Sequence, residues 1–146
     1  MKKFRLLLVV SPFILTALFV AYKLVNSAPS EALPLEARVV KILETGGCES
    51  CHTADPVLPF YAELPVAGEM VKKDVEEGYR AYDIAPFMEA LLSGATPSAV
   101  DVAKLEKVAL DKRMPMAKYY LVHWGSQMTS AKRNIILDWV AEFRTE

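Results

Sequence analysis

The sequence predicts an all-α protein, with one N-terminal transmembrane helix followed by a small helical domain. Three observations carry that prediction. Apolar residues in the body recur at helical spacing in short stretches, and none alternates convincingly with polar residues as a half-buried strand would. Leu6 to Tyr22 is a 17-residue run without a charge. The whole chain has 146 residues, the size of a single domain.

The first 28 residues carry four bases and no acid, while the remaining 118 hold the other 13 bases and all 18 acids, a balance of −5. A basic apolar head on an acidic body is the pattern of an exported or anchored protein. Extended to Val25, the apolar stretch reaches 20 residues, about the length that crosses a bilayer core. Lys2, Lys3 and Arg5 precede it, so the positive-inside tendency keeps them cytoplasmic and exports the rest. Asn26-Ser27-Ala28 only partly matches a signal-cleavage site, and Pro29 follows it. An uncleaved anchor over 1–28, with its helix at about 6–25, is therefore expected over a cleaved signal. Residues 29–146 form the domain.

Ser27 to Pro34 reads as a linker. A helix follows from Leu35 to Thr45, with Leu35, Val39, Ile42 and Leu43 on one side and Gly46-Gly47 ending it. Asp55-Pro56 and Pro59 break regular structure as far as Pro65. Val66 to Tyr82 is a second helix, with Met70, Val71, Val75 and Tyr79 as its apolar side. Ala85 to Leu92 is a short third, stopped by Ser93-Gly94. Ser98 and Asp101 resemble a capping box and open a fourth helix to about Lys112, with Val102, Leu105, Val108 and Ala109 inward. Arg113 to Gln127 reads as irregular. Thr129 caps a last helix through Phe143, striped by Ile135, Ile136, Trp139, Val140 and Phe143. Loops this long in so small a domain make sense if they wrap a large apolar cofactor.

Hydrophobic residues at 53% and charged residues at 24% exclude disorder, and a net charge of −1 argues against nucleic acid as a partner. The only cysteines, Cys48 and Cys51, exclude a disulfide scaffold and a four-cysteine metal site. With His52 they spell Cys48-Glu49-Ser50-Cys51-His52, the C-x-x-C-H pattern of covalent haem attachment. The spacing has a physical reason. Two thiols three residues apart add to the two vinyl groups on one edge of a haem, and the next residue reaches the iron as proximal ligand. A thioredoxin-like dithiol would need a βαβ setting, which the pattern lacks. A zinc site of Cys48, Cys51, His52 and His123 would need adjacent Cys51 and His52 on one tetrahedral metal. The expected cofactor is one covalent haem c, and the fold a cytochrome-c-like helical domain wrapped around it. Candidates for the distal iron ligand are Met114, Met116 and His123, all before the last helix. A thioether there raises the reduction potential; a histidine lowers it.

Arg113-Met114-Pro115-Met116-Ala117-Lys118-Tyr119, with His123 four residues on and Trp139 in the last helix, resembles the haem-binding-domain group of c-type cytochromes. Leu58-Pro59-Phe60-Tyr61, Asp74-Val75 with Gly78-Tyr79, and His123-Trp124 are similar in particular to the N-terminal haem domain of membrane-anchored tri-haem bacterial cytochrome c peroxidases. The likeness covers about residues 35–143. It implies His52 as proximal ligand and Met114 as distal ligand, with Met116 standing where the group usually has a second proline. Those peroxidases continue into two further haem domains, whereas this sequence holds one C-x-x-C-H. The expected role is therefore an electron-transfer module rather than an enzyme. It is a single-pass protein of the bacterial inner membrane with its haem domain in the periplasm. It passes single electrons from the quinol pool or a membrane dehydrogenase to a periplasmic acceptor, for which the resemblance suggests a peroxidase. The alternative is a haem-based sensor, or a low-activity peroxidase with a labile sixth ligand.

Overall fold

The computed structural model describes residues 2–145, and of residues 2–10 only the course of the backbone. Among the described residues seven α-helices run in order: α1 (Lys2–Val25), α2 (Leu35–Gly46), α3 (Pro65–Ala81), α4 (Ala85–Ser93), α5 (Ala99–Asp111), α6 (Ala117–Val122) and α7 (Ser130–Phe143). Short 3-10 turns lie at Cys48–Ser50 and Phe60–Glu63. No strand forms among the described residues.

Local chemistry sets several of these boundaries. Gly47 ends α2 at φ +68°, a left-handed conformation that costs glycine little. Ser98 Oγ accepts the Asp101 amide at 3.1 Å to start α5, and Thr129 Oγ1 accepts the Lys132 amide at 3.3 Å to start α7. Each cap satisfies an amide that the helix's own ladder leaves free.

Four helices make the core. The stripes Val39, Ile42 and Leu43 of α2, Phe87, Met88 and Leu91 of α4, Val102, Leu105 and Ala109 of α5, and Ile135, Ile136, Trp139 and Val140 of α7 bury one another. Phe87 meets Trp139 edge to face at 5.9 Å between ring centroids, an arrangement favoured by the ring quadrupoles. Three expected apolar positions, Val108, Met70 and Tyr79, are used otherwise. Val108 is left out of this core and lines a cavity instead. On α3 only Gly68 is buried, and Met70 and Tyr79 stand exposed. The apolar side of α3 thus faces a cavity and solvent rather than the core. The stretch expected to be irregular, 113–127, contains the short helix α6.

Helix α1 carries no acid, and its side chains from Phe13 to Val25 are largely exposed, Phe13 to 73%. Among the described residues no helix is long and apolar enough to cross a membrane. The start of the expected span, residues 6–10, lies outside the side chains described. The foot of α1 is fastened to the domain. Asn26, only 3% exposed, donates through Nδ2 to the Trp124 carbonyl at 2.6 Å and accepts the Gln127 amide on Oδ1 at 2.9 Å. Tyr22 packs edge-on against Trp124 at 6.1 Å.

Candidate functional site

The cysteine pair sits where α2 has just ended. Gly47 makes room for Tyr119 beside it: a Cβ there would collide with the Tyr119 hydroxyl, whereas one on Gly46 would meet Cys48 Sγ at 3.5 Å, an ordinary contact. The 3-10 turn then places Cys48 and Cys51 close together, unpaired by any disulfide. Helix α3 presses on the motif at Gly78, where a Cβ would come 2.5 Å from the Cys51 carbonyl oxygen. Only a residue without a side chain lets the helix approach this closely.

His52 is held from two sides. Its carbonyl accepts the Ile84 amide at 2.8 Å, and its Nδ1 lies 2.9 Å from the Tyr82 carbonyl. A carbonyl only accepts, so Nδ1 carries the proton and Nε2 keeps its lone pair for a metal. Backbone groups carry no residue-type signal, so this positioning role of Tyr82 is not legible in the sequence.

A cavity of about 160 Å³ opens at the motif. Cys48, Cys51 and His52 share its wall with Met114, Met116 and Met128, with the apolar Leu43, Val108 and Tyr119, and with the carboxylates Asp74 and Glu77 of α3. A second cavity of about 480 Å³ adjoins it, sharing Cys51, Asp74, Met116 and Tyr119. The first alone is smaller than ordinary ligand sites; the two together fall within their range of roughly 300–1,000 Å³. Soft thioethers, an imidazole with a free nitrogen and two thiols around an apolar space suit a haem iron and its macrocycle.

The thiols are the wrong kind for dithiol redox work. Burial, with Glu49 adding to it, pushes the Cys48 thiol up to about 12, and burial next to Asp74 raises Cys51 as well. Both are therefore protonated at neutral pH, unlike the activated thiolate of a redox motif. Nor do the cysteines and histidines make a zinc site: among the described residues no three of His, Cys, Asp and Glu gather to hold a metal ion.

Of the three candidates for the distal position, Met114 and Met116 line the same cavity as His52, joined by a cis peptide between Met114 and Pro115. His123 lies in the second cavity. Its Nε2 is 2.6 Å from the Tyr61 hydroxyl, and its ring stacks on Tyr119 at 4.0 Å. Burial lowers the His123 pKa and raises that of Tyr61. The phenol therefore donates, and a neutral imidazole accepts. Beside them Lys118 donates to Asp74 at 2.7 Å, bridging α6 to α3. Tyr61 and His123 stand 62 positions apart, a separation across which no local pattern signals a contact.

The haem-binding domain matches residues 10–142. Over 109 residues, 75% of this chain, the sequence is 32% identical to the cytochrome c peroxidase Ccp of Escherichia coli (strain K12). The matched part is 23% of that protein's length. No solved structure gave a significant match. A small helical domain, a C-x-x-C-H motif in the wall of an apolar cavity and a match along nearly the whole sequence lead to one conclusion: the chain belongs to the haem-binding domain family.

Proposed function

We propose that the chain is a membrane-anchored c-type cytochrome carrying one covalent haem c in the periplasm. It passes single electrons from the quinol pool, or from another membrane donor, to a periplasmic acceptor. The observation that carries this reading is the shared cavity wall: Cys48, Cys51, His52 and Met114 border one apolar space, with His52 Nε2 left free. When bound, the haem supplies reversible one-electron chemistry. The chain's residues do the rest. Cys48 and Cys51 hold the macrocycle by thioether bonds. His52 offers the proximal nitrogen, oriented by the Tyr82 carbonyl. Met114 offers the distal thioether, with Met116 and then His123 as alternatives. Leu43, Val108 and Met128 exclude water and so limit what must reorganise when the charge changes.

The family and the relative's name support a redox role, and that name makes a peroxidase the first acceptor to try. The apolar, outward-facing side chains of α1 support the anchor and a place in the bacterial inner membrane. An excess of acid in the domain favours an acceptor with a basic docking patch. The test is a denaturing gel stained for haem. Exported with a haem-attachment system, the chain keeps its haem on the gel, and Cys48→Ala with Cys51→Ala loses it. A wild-type band without haem stain overturns the reading at its base. Ready uptake of carbon monoxide by the reduced protein points instead to the ligand-binding sensor or low-activity peroxidase.

A further inference from the structure

Tyr82 joins the proximal histidine to the core. It follows α3 in an extended conformation, φ −164° and ψ 120°, with its amide donating to the Gly78 carbonyl at 2.9 Å. Its own carbonyl accepts from His52 Nδ1 at 2.9 Å. Its ring packs against the buried cluster that α2, α4, α5 and α7 build. The hydroxyl is buried and makes no hydrogen bond among the described residues, so the ring and not the phenol fixes the side chain. Tyr82 lines neither cavity at the motif. What holds it is protein, not the space a haem would take.

A second grip on the ring comes from α5. Lys104 Nζ stands 4.5 Å from the Tyr82 ring centroid, within the range of a cation–π contact. None of the described ion pairs includes Lys104, so the ring is the described partner of its charge. Lys104 and Val108 lie one turn apart on the same side of α5. Val108 lines the cavity at the motif. One helix face therefore meets both the haem site and the residue that holds the proximal histidine.

We propose that the Tyr82 side chain, clamped between the core and Lys104, is a positioning residue for His52 and thereby sets part of the reduction potential. A carbonyl oxygen points where its planar peptide points, and this one turns only about the bonds at Tyr82 and Asp83. Asp83 is committed to the next helix, its Oδ1 accepting the Ala85 amide at 3.1 Å. The Tyr82 ring is therefore what keeps the carbonyl aimed at Nδ1. An Nδ1–H that donates strongly makes Nε2 a more basic ligand, which favours ferric iron and lowers the potential. Loosening the ring weakens that donation and raises the potential. The inference rests on His52 as proximal ligand and goes beyond that reading in naming the side chains that tune it.

The test uses the haem-loaded protein and two readouts. One is the midpoint potential; the other is the exchange rate of the His52 Nδ1 proton, followed by NMR in the reduced, diamagnetic protein. Tyr82→Leu removes the aromatic face and keeps bulk, Tyr82→Phe keeps the ring, and Lys104→Met removes the charge. Tyr82→Leu is expected to shift the potential upward and speed the exchange. Tyr82→Phe is expected to match the wild type in both. Lys104→Met is expected to speed the exchange, by less than Tyr82→Leu does. Haem absorbance and circular dichroism report that each variant is folded, and Tyr82→Met replaces Tyr82→Leu if the latter is not. Wild-type potential and exchange in folded Tyr82→Leu overturn the proposal, because a merely structural role lowers the unfolding midpoint and moves neither readout. Tyr82→Phe behaving like Tyr82→Leu assigns the effect to the hydroxyl and overturns it too. Wild-type exchange in Lys104→Met overturns the part given to α5. Wild-type protein without covalent haem sinks the proposed function itself, before any variant is compared.

Discussion

His52 makes its one described side-chain hydrogen bond through Nδ1, and that bond decides which nitrogen remains for iron. The distal side has no comparable lock, because Met114 and Met116 both reach the cavity wall. Met114→Ala is expected to remove the weak far-red absorption of ferric Met-ligated haem, lower the midpoint potential and open the reduced iron to carbon monoxide. Met116→Ala is expected to do much less. The reverse order, read from the same spectra, would move the ligand by two residues; a large effect from His123→Ala alone would indicate two histidines. His123 also gives a pH expectation. Its folded pKa lies below the ordinary 6.5 because burial disfavours the imidazolium. The unfolded chain therefore binds the extra proton first. The stability this group contributes is complete above pH 6.5 and is lost as pH falls from there through the lower folded value. Denaturant titrations across that window should show a steeper acid-side loss in the wild type than in His123→Gln. Parallel curves would mean that the Tyr61–His123 bond opens freely in solution. The motif Cys48–His52 is legible in the sequence because its whole pattern falls within five consecutive residues. The Tyr61–His123 pair is not, since only the tertiary fold brings it together.

Among the elements, α3 is the one whose sequence pattern misleads. Its spacing of Met70, Val71, Val75 and Tyr79 is that of a core-facing helix, yet the described protein atoms bury only Gly68 there. The periodicity is legible; what it faces is not, because a stripe packed on a cavity reads like a stripe packed on other side chains. The caps at Ser98 and Thr129 are legible because capping is decided within three residues. Helix α6 escapes the pattern because its six residues fall between Pro115 and Gly125, too short for a period to show. The functional weight of α3 rests on Gly78. Gly78→Ala should push the helix off the Cys51 carbonyl and lower the yield of haem-stained protein. Gly94→Ala is the control. At φ +71°, with no atom within 4 Å of an added Cβ, it should cost only the left-handed penalty of about 1–2 kcal/mol and leave haem yield intact. Equal haem yields from the two variants would show that the α3 contact is dispensable for attachment.

At the scale of the whole molecule, the chain divides by charge and by exposure at the same point. Residues 1–28 are basic and apolar, and the α1 side chains described within them are mostly exposed; the acidic remainder buries its apolar stripes between α2, α4, α5 and α7. On the anchored reading, the mature protein should begin near Met1 and stay in the membrane pellet through alkaline carbonate. Terminal sequencing and fractionation check both, and a soluble protein starting near Pro29 would mean that cleavage prevails. Composition alone makes this division legible. It does not show that the foot of α1 is bonded to the turn after α6, because Asn26 and Gln127 are 101 positions apart.

That bond changes what the Ser27–Pro34 segment is for. A flexible leash of n residues would let its cargo roam over roughly 5–6 Å × √n and turn any side toward a passing molecule. Here the segment follows the fastening at Asn26, so it lies within a closed loop and sets no reach. Asn26 and Tyr22 set the posture of the domain at the foot of α1. Whatever exchanges electrons with it must come to the faces that posture leaves open, and lengthening the segment would not bring the cavity any nearer to a partner.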